Sequence, residues 1–318
     1  MNTFQLANLA PESSVDKIFE EMSSLFEKSG RLLVLLDETL EQDSFKNLKK
    51  NCKDENIIYI PLALGNKPKD THLFFIEITN KEVLMQVGKE IAQKFLLNFE
   101  IKNDKYLVHG FGTSSLENDQ LNAKFKNSLV VQDINSKILF RWYDPRVLSY
   151  LDQIFTETEL NSLLGLFEDW KFAHPTGYFS WEKQRNEKFI SRKISKLSSE
   201  QSLALDLIEI SNVVFVKAYE YEEIDKAQLA PKKILFNLYN AHEEHKIHRY
   251  SDLFSYGLYA EILGQYFLMH PLIKHTLDRY WMTAPDEYDF TEAMSLLDED
   301  LWQPIKQDLN NLESISHG

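Results

Sequence analysis

The sequence predicts an α/β amino-terminal lobe on a mixed, largely parallel sheet, followed by an all-helical carboxy-terminal lobe. Three observations carry this expectation. The segments 31–37, 56–60 and 73–78 are continuous apolar runs rather than alternating ones, as expected for strands covered on both faces. Helical stretches lie between and after them, and beyond Lys183 the pattern changes to long three- and four-residue periodicity. The lobes are placed at 1–183 and 184–318, the second ending in an acidic amphipathic segment, 286–318.

Ile18, Phe19, Met22, Leu25 and Phe26 recur at helical spacing, opened by Ser13 with Asp16 three residues on and stopped at Gly30. The three apolar strands follow. Over 80–95 the residues Val83, Leu84, Val87, Ile91 and Phe95 line one side of a helix. Segments 106–111 and 129–133 are further strand candidates, and Asn135-Ser136 is turn chemistry leading into 137–143, which predicts a hairpin at the sheet edge. Asp144-Pro145 then pairs a capping residue with a first-turn proline, so a helix starts near Arg146. Thr156 with Glu159 forms a capping box ahead of Leu160, Leu163, Leu164 and Phe167. Segments 170–172 and 178–181 form a last strand pair. In the second lobe, Ser198 with Gln201 caps a helix carrying Leu203, Leu207, Ile210 and Val214; further helices follow over 234–245 and 251–269, and His270-Pro271 marks a break. Phe290, Met294, Leu297, Leu301, Ile305 and Leu309 keep helical intervals within the acidic segment and predict a docked helix pair.

Composition narrows the function. The 318 residues are 43% hydrophobic and 26% charged, the balance of a folded globular chain. A net charge of −14 is the wrong sign for a surface that tracks phosphates, so nucleic acid is not expected as a partner. The single cysteine, Cys52, forms no internal disulfide and no cysteine zinc cluster, which points to the cytoplasm. Neither a signal peptide nor a membrane span is expected.

The search for catalytic chemistry yields little. Gly110-Phe111-Gly112 lacks the third glycine of a dinucleotide loop, and Gly65-Asn66-Lys67-Pro68-Lys69 is no P-loop, so both read as turns. There is no Gly-x-Ser-x-Gly elbow, and Cys52 has no nearby histidine to activate it. The best metal candidate is His242-Glu243-Glu244-His245-Lys246-Ile247-His248. A zincin helix spaces its histidines at i and i+4, whereas His242 and His245 are at i and i+3, so the segment reads as a solvated helix end. A metal-dependent hydrolase using His242 and His245, with Glu243 or Glu244 as base, is the alternative. His270 and His275 read as structural, and Asp298-Glu299-Asp300 as a solvated face. No catalytic residue and no cofactor are expected.

The most distinctive stretch is 138–148, Ile-Leu-Phe-Arg-Trp-Tyr-Asp-Pro-Arg-Val-Leu, a strand running directly into a helix. The two-residue period places Ile138, Phe140 and Trp142 on one side and Leu139, Arg141 and Tyr143 on the other. Arg141 on an apolar face requires a partner, either Asp144 or a carboxylate of a neighbouring strand.

Phe140, Arg141, Trp142, Tyr143, Asp144, Pro145 and Arg146 together resemble the signature of the type VI secretion effector adaptors, the Tap- or Tec-type chaperones. Leu33 to Asp37 is similar to that family's first core strand with its terminal Asp, and Tyr106 to Ser115 to its segment before the hairpin. Lys124-Phe125-Lys126-Asn127 stands where the family commonly has a His-Leu-Arg-like stretch, and Asp133-Ile134-Asn135-Ser136 replaces its Pro-Asp-Gly-like turn. The resemblance implies a non-catalytic cytoplasmic adaptor of a Gram-negative bacterium. It would bind a toxic effector outside its toxin domain and bring it to the VgrG spike. A scaffold of the same machine that holds no toxin is a further reading.

Overall fold

The computed structural model describes residues 5–7, 14–61, 72–134, 136–183, 190–222, 224–283 and 289–316. The Ser13 cap, the Gly65–Lys69 turn, Asn135 of the hairpin turn and the opening of the acidic segment at 286–288 lie outside them. The chain divides into two compact units, Met1–Ser202 and Leu203–Gly318.

In the first unit, strand β1 is Gln5–Ala7 and helix α1 is Val15–Ser29. Ser14 caps α1 by accepting a hydrogen bond from the Lys17 amide at 3.3 Å, and Gly30 ends it in the left-handed region at φ 70°, donating to the Phe26 carbonyl at 2.7 Å. There follow β2 (Leu32–Asp37), α2 (Lys46–Asn51), β3 (Ile57–Tyr59), β4 (Leu73–Ile78) and α3 (Lys81–Leu96), which Asn80 caps. Next come β5 (Val108–Thr113), α4 (Asn118–Ser128), β6 (Val130–Gln132) and β7 (Lys137–Leu139). Three short helices, α5 (Pro145–Leu148), α6 (Leu151–Ile154) and α7 (Glu157–Leu164), precede the hairpin of β8 (Asp169–His174) and β9 (Gly177–Glu182). The Thr156–Glu159 capping box forms at the start of α7.

Seven of these strands form one sheet in the order β1-β9-β8-β5-β2-β4-β3. Every pairing in it is antiparallel, which corrects the largely parallel sheet expected from the apolar runs. The runs do report strands covered on both faces, but helices and loops achieve this without parallel crossovers. Leu32, Val34 and Leu36 pack with Ile18, Met22, Val87 and Phe95 on the α1/α3 side. Leu33 and Leu35, which are also buried, alternate to the opposite face. There Phe75, the cross-strand partner of Leu35, meets Phe125 of α4 at 5.1 Å and Phe167 at 6.1 Å.

Two further expectations are corrected. The hairpin β6–β7 does not extend the edge of the main sheet; it is a separate two-stranded sheet, and β6 is flanked on its other side by 195–197 through Gln132 N to Ser195 O at 3.0 Å and Leu197 N to Gln132 O at 2.9 Å. Gly110-Phe111-Gly112 is not a turn but part of β5. A Cβ on Gly110 would come within 2.6 Å of the Trp170 ring, and one on Gly112 within 2.0 Å of the Asp169 carbonyl oxygen. The glycines are required by the close approach of β8.

The second unit is helical. Helix α8, Ser199–Glu220, is opened by the reciprocal Ser198–Gln201 box. It is followed by α9 (Pro231–Glu243), α10 (Tyr250–Leu263), α11 (Pro271–Thr283), α12 (Phe290–Ser295) and α13 (Trp302–Ser316). Tyr256 packs against Phe267 and Phe290, and Tyr259 stacks on Trp302 at 5.3 Å. A Cβ on Gly257 would meet Val214 at 2.9 Å, so the glycine lets α10 approach α8. Asp252, itself buried, accepts from the Thr291 amide and hydroxyl at 3.0 and 2.7 Å and so fixes the start of α12 on α10. Phe290, Met294, Leu297, Ile305 and Leu309 are buried.

Candidate functional site

The 138–148 junction is a turn between strand and helix rather than one continuous strand. Strand β7 stops at Leu139, and the Phe140 amide still donates to the Leu129 carbonyl at 2.7 Å. The chain then turns, with Asp144 N donating to Arg141 O at 3.0 Å. The alternation expected for Ile138 to Tyr143 therefore fails, and the consecutive residues Trp142 and Tyr143 are both fully buried. Trp142 Nε1 donates to Ser128 Oγ at 2.9 Å, and its ring lies 5.3 Å from Phe125. Tyr143 lies 5.7 Å from the same ring and meets His109 edge-on at 5.0 Å. Phe140 packs on Phe155 at 5.6 Å.

Pro145 opens α5, and Asp144 caps it by accepting from the Arg146 amide at 3.0 Å. The same carboxylate takes two bonds from the Arg146 guanidinium, Nε to Oδ1 at 3.0 Å and Nη2 to Oδ2 at 2.7 Å. Arg141 Nη2 stands 3.7 Å from Asp144 Oδ2 and 3.3 Å from Asp37 Oδ2 at the end of β2. The Arg141 side chain is 40% exposed, so the arginine bridges buried carboxylates from the rim instead of lying on an apolar face.

Asp37 is the hub of this network. Its Oδ1 accepts from the Thr39 amide at 2.8 Å, and its Oδ2 lies 3.3 Å from His109 Nε2. The register between β2 and β5 runs Leu35 with Gly110 and then Leu36 with Val108, so His109 is the extra residue of a bulge that aims its ring at Asp37. Burial pushes the Asp37 carboxyl up, but the hydrogen bond and charge of His109, with the Thr39 bonds, outweigh this and hold it at about 2. Asp144 behaves alike: burial raises it, while the Arg146 bonds and the charges of Arg146, His109 and Arg141 bring it below the usual carboxylate range.

Burial holds a nearby phenol and a nearby imidazole in their neutral forms. The Arg146 guanidinium lies 4.9 Å from the centre of the Tyr106 ring, and burial lifts the Tyr106 phenol well above its ordinary value. Burial drives His174 down to about 3, so this histidine is neutral at physiological pH; its Nδ1 accepts from the Thr176 amide at 3.3 Å and lies 2.8 Å from the Thr176 hydroxyl. Two ionised carboxylates, two arginines and His109 thus lock strands β2 and β5 to the 140–146 turn. The arrangement supplies rigidity and an arginine-bearing rim.

Sequence reasoning named Arg141 and Asp144 but did not place Asp37, His109, Tyr106 and His174 beside them. A single acid closing a five-leucine-and-valine run, and a histidine inside Leu107 to Phe111, were the available signals. At the other end of β2, Arg31 bonds Glu77 Oε1 at 2.5 Å and Asn118 Oδ1 at 2.6 Å, a second clamp that no motif announces.

The histidine segment of the second unit is arranged differently from its expectation. Helix α9 ends at Glu243, so His245 lies beyond it and does not share a helical turn with His242. His242 Nδ1 lies 2.8 Å from Glu243 Oε1, and the ring that approaches His242, at 4.4 Å, belongs to His248. His245 faces Tyr256 at 6.0 Å. Among the described residues, no group of three or more His, Cys, Asp or Glu side chains is placed to hold a metal ion. No helix among them is long and apolar enough to cross a membrane.

Neither the curated proteins nor the solved structures contain a match to this chain. Residues 80–162 match the model of a domain of unknown function, DUF4123; the segment runs from the Asn80 cap of α3 into α7 and contains His109 and the whole Phe140–Arg146 junction.

Proposed function

We propose that this chain is a non-catalytic adaptor that binds a type VI secretion effector, outside its toxin domain, and loads it onto the VgrG spike in the cytoplasm. The observation that carries the reading is the Phe140–Arg146 signature, which lies inside the matched segment and is built as a charge-locked turn. A platform for other polypeptides has to hold its shape before the partner arrives, and a turn fixed by two buried carboxylates does so. Exposed apolar side chains on the helical unit, Phe236, Tyr266, Met269 and Met282, are the residue types that anchor protein interfaces. In this reading the chain performs no reaction and takes no cofactor.

Co-expression of the tagged full chain with the effector encoded beside it and with VgrG tests the proposal. Co-elution of all three, retained when the effector's toxin domain is deleted, is the expected result. Failure of the chain to retain either partner, with all three proteins soluble, overturns it.

A further inference from the structure

The hairpin that leads into the signature turn is paired unevenly. In β6, Gln132 turns its backbone away from β7: its amide donates to the Ser195 carbonyl at 3.0 Å, and its carbonyl accepts from the Leu197 amide at 2.9 Å. Across the hairpin, the Phe140 amide donates to the Leu129 carbonyl at 2.7 Å and the Asp133 amide to the Ser136 carbonyl at 2.8 Å. Val131 lies opposite Ile138, so the backbone groups that face β6 are those of 136, 138 and 140. The amides and carbonyls of Lys137 and Leu139 point the other way, and among the described residues nothing pairs with them. Two donors and two acceptors repeating at every second residue of an extended chain are the pattern that another strand complements.

The side chains beside this edge narrow the occupant. Leu139 and its cross-strand neighbour Val130 are each 42% exposed, whereas Val131, on the opposite face, is buried. Lys137 and Gln132 share the open face with them, and the exposed Lys196, bridged to Gln132, extends it. An incoming strand therefore meets leucine at one position and lysine two positions away, which selects an apolar and an acidic side chain on one face. A second copy is a poor occupant, because three residues bury far less than the roughly 1,000 Å² of a stable interface and a lysine on the edge discourages self-pairing.

We propose that β7 receives, by strand addition, an extended segment of the effector that carries an apolar and an acidic residue two positions apart; the inference rests on the adaptor reading and names a contact through which the effector is held. That reading places the grip outside the effector's toxin domain, where an extended segment is free to add a strand. Phe140 follows Leu139 directly, so the locked turn fixes the edge on which the segment pairs.

The test is amide hydrogen exchange, read by mass spectrometry with residue-level fragmentation over 136–141, on the full chain alone, with the effector encoded beside it and with VgrG. In the free chain the Lys137 and Leu139 amides are expected to exchange freely while those of Ile138 and Phe140 are protected, and effector binding is expected to slow the first two by about tenfold or more. Leu139→Pro removes one outward donor and leaves the β6–β7 bonds in place, since proline is tolerated on an edge strand; it is expected to melt with the wild type and to bind the effector about tenfold more weakly. Should the proline disturb the hairpin, exchange in the wild-type chain decides alone. Unchanged exchange in the effector complex, protection by VgrG and not by the effector, or protection in the free chain that grows with its concentration overturns the inference. Co-elution without protection of Lys137 and Leu139 removes this inference and leaves the adaptor reading standing, whereas failure of co-elution removes both.

Discussion

His109 Nε2 lies 3.3 Å from Asp37 Oδ2, and the contact exists because β5 carries one residue more than β2 at that point. Both side chains are buried, and Arg141 reaches the same carboxylate oxygen from the rim. Asp37→Asn keeps the shape but removes the charge that faces both partners. It is expected to cost about 2 kcal/mol, since a buried ionic contact loses one member while Arg141 retains Asp144. Urea unfolding of the two proteins at neutral pH measures the difference, and an unchanged midpoint would show that the hub contributes nothing to stability.

The pH dependence has two windows. The folded-state value of Asp37, about 2, lies below its unfolded one, so its contribution is complete above about pH 4 and is lost as pH falls towards 2. His174 is also depressed, to about 3, but it is a base: the unfolded chain takes up its proton near pH 6.5 and the folded chain does not. Stability therefore falls with pH from about 6.5 down to about 3 on account of His174, and below about 4 Asp37 adds to the loss. His174→Gln is expected to flatten the upper window alone, seen as a melting temperature that changes less between pH 7 and pH 5 than in the wild type.

Gly112→Ala is expected to be far more damaging than Gly110→Ala. At Gly112 the new methyl would overlap backbone, the Asp169 carbonyl oxygen at 2.0 Å, and the β5–β8 pairing has to open. At Gly110 the nearest atoms are the Trp170 ring at 2.6 Å and the Lys171 carbonyl oxygen at 2.7 Å, a clash that a tilted ring relieves only in part. About 3 kcal/mol or more is expected for the first change, enough to lower soluble yield, with a smaller loss for the second. Comparative melting of the purified variants checks the order.

Much of the local structure was legible before any coordinates. The Asp144-Pro145 start, the Thr156–Glu159 and Ser198–Gln201 boxes and the Gly30 stop all rest on short-range hydrogen bonding, which neighbouring residues determine. Strand direction was not legible. Leu32 to Leu36 reports burial on both faces, and burial alone does not say whether helices or antiparallel neighbours supply it. The site was half legible for the same reason. Arg141 demanded a carboxylate, but choosing Asp37, far away in sequence, required the sheet order and a bulge that no local pattern encodes. The Gly110 and Gly112 reading failed because glycine serves close packing as well as turns, and Trp170 lies sixty residues further on.

Asp144 separates a structural role of the signature from direct partner contact. It caps α5 through the Arg146 amide and holds the Arg146 guanidinium with two bonds. Asp144→Asn keeps the cap acceptor and loses the charge, for an expected cost of about 1–2 kcal/mol, whereas Asp144→Ala loses both, for about 3 kcal/mol. Because the Asp144 side chain is buried, neither change alters a group that a partner could touch directly. If the turn acts as a rigid support, cargo capture should weaken in the order of these stability losses. Arg141→Gln changes the exposed rim and serves as the contrast. A loss of capture larger than its melting shift explains would assign Arg141 to the interface, and capture that follows stability throughout would assign it to the support.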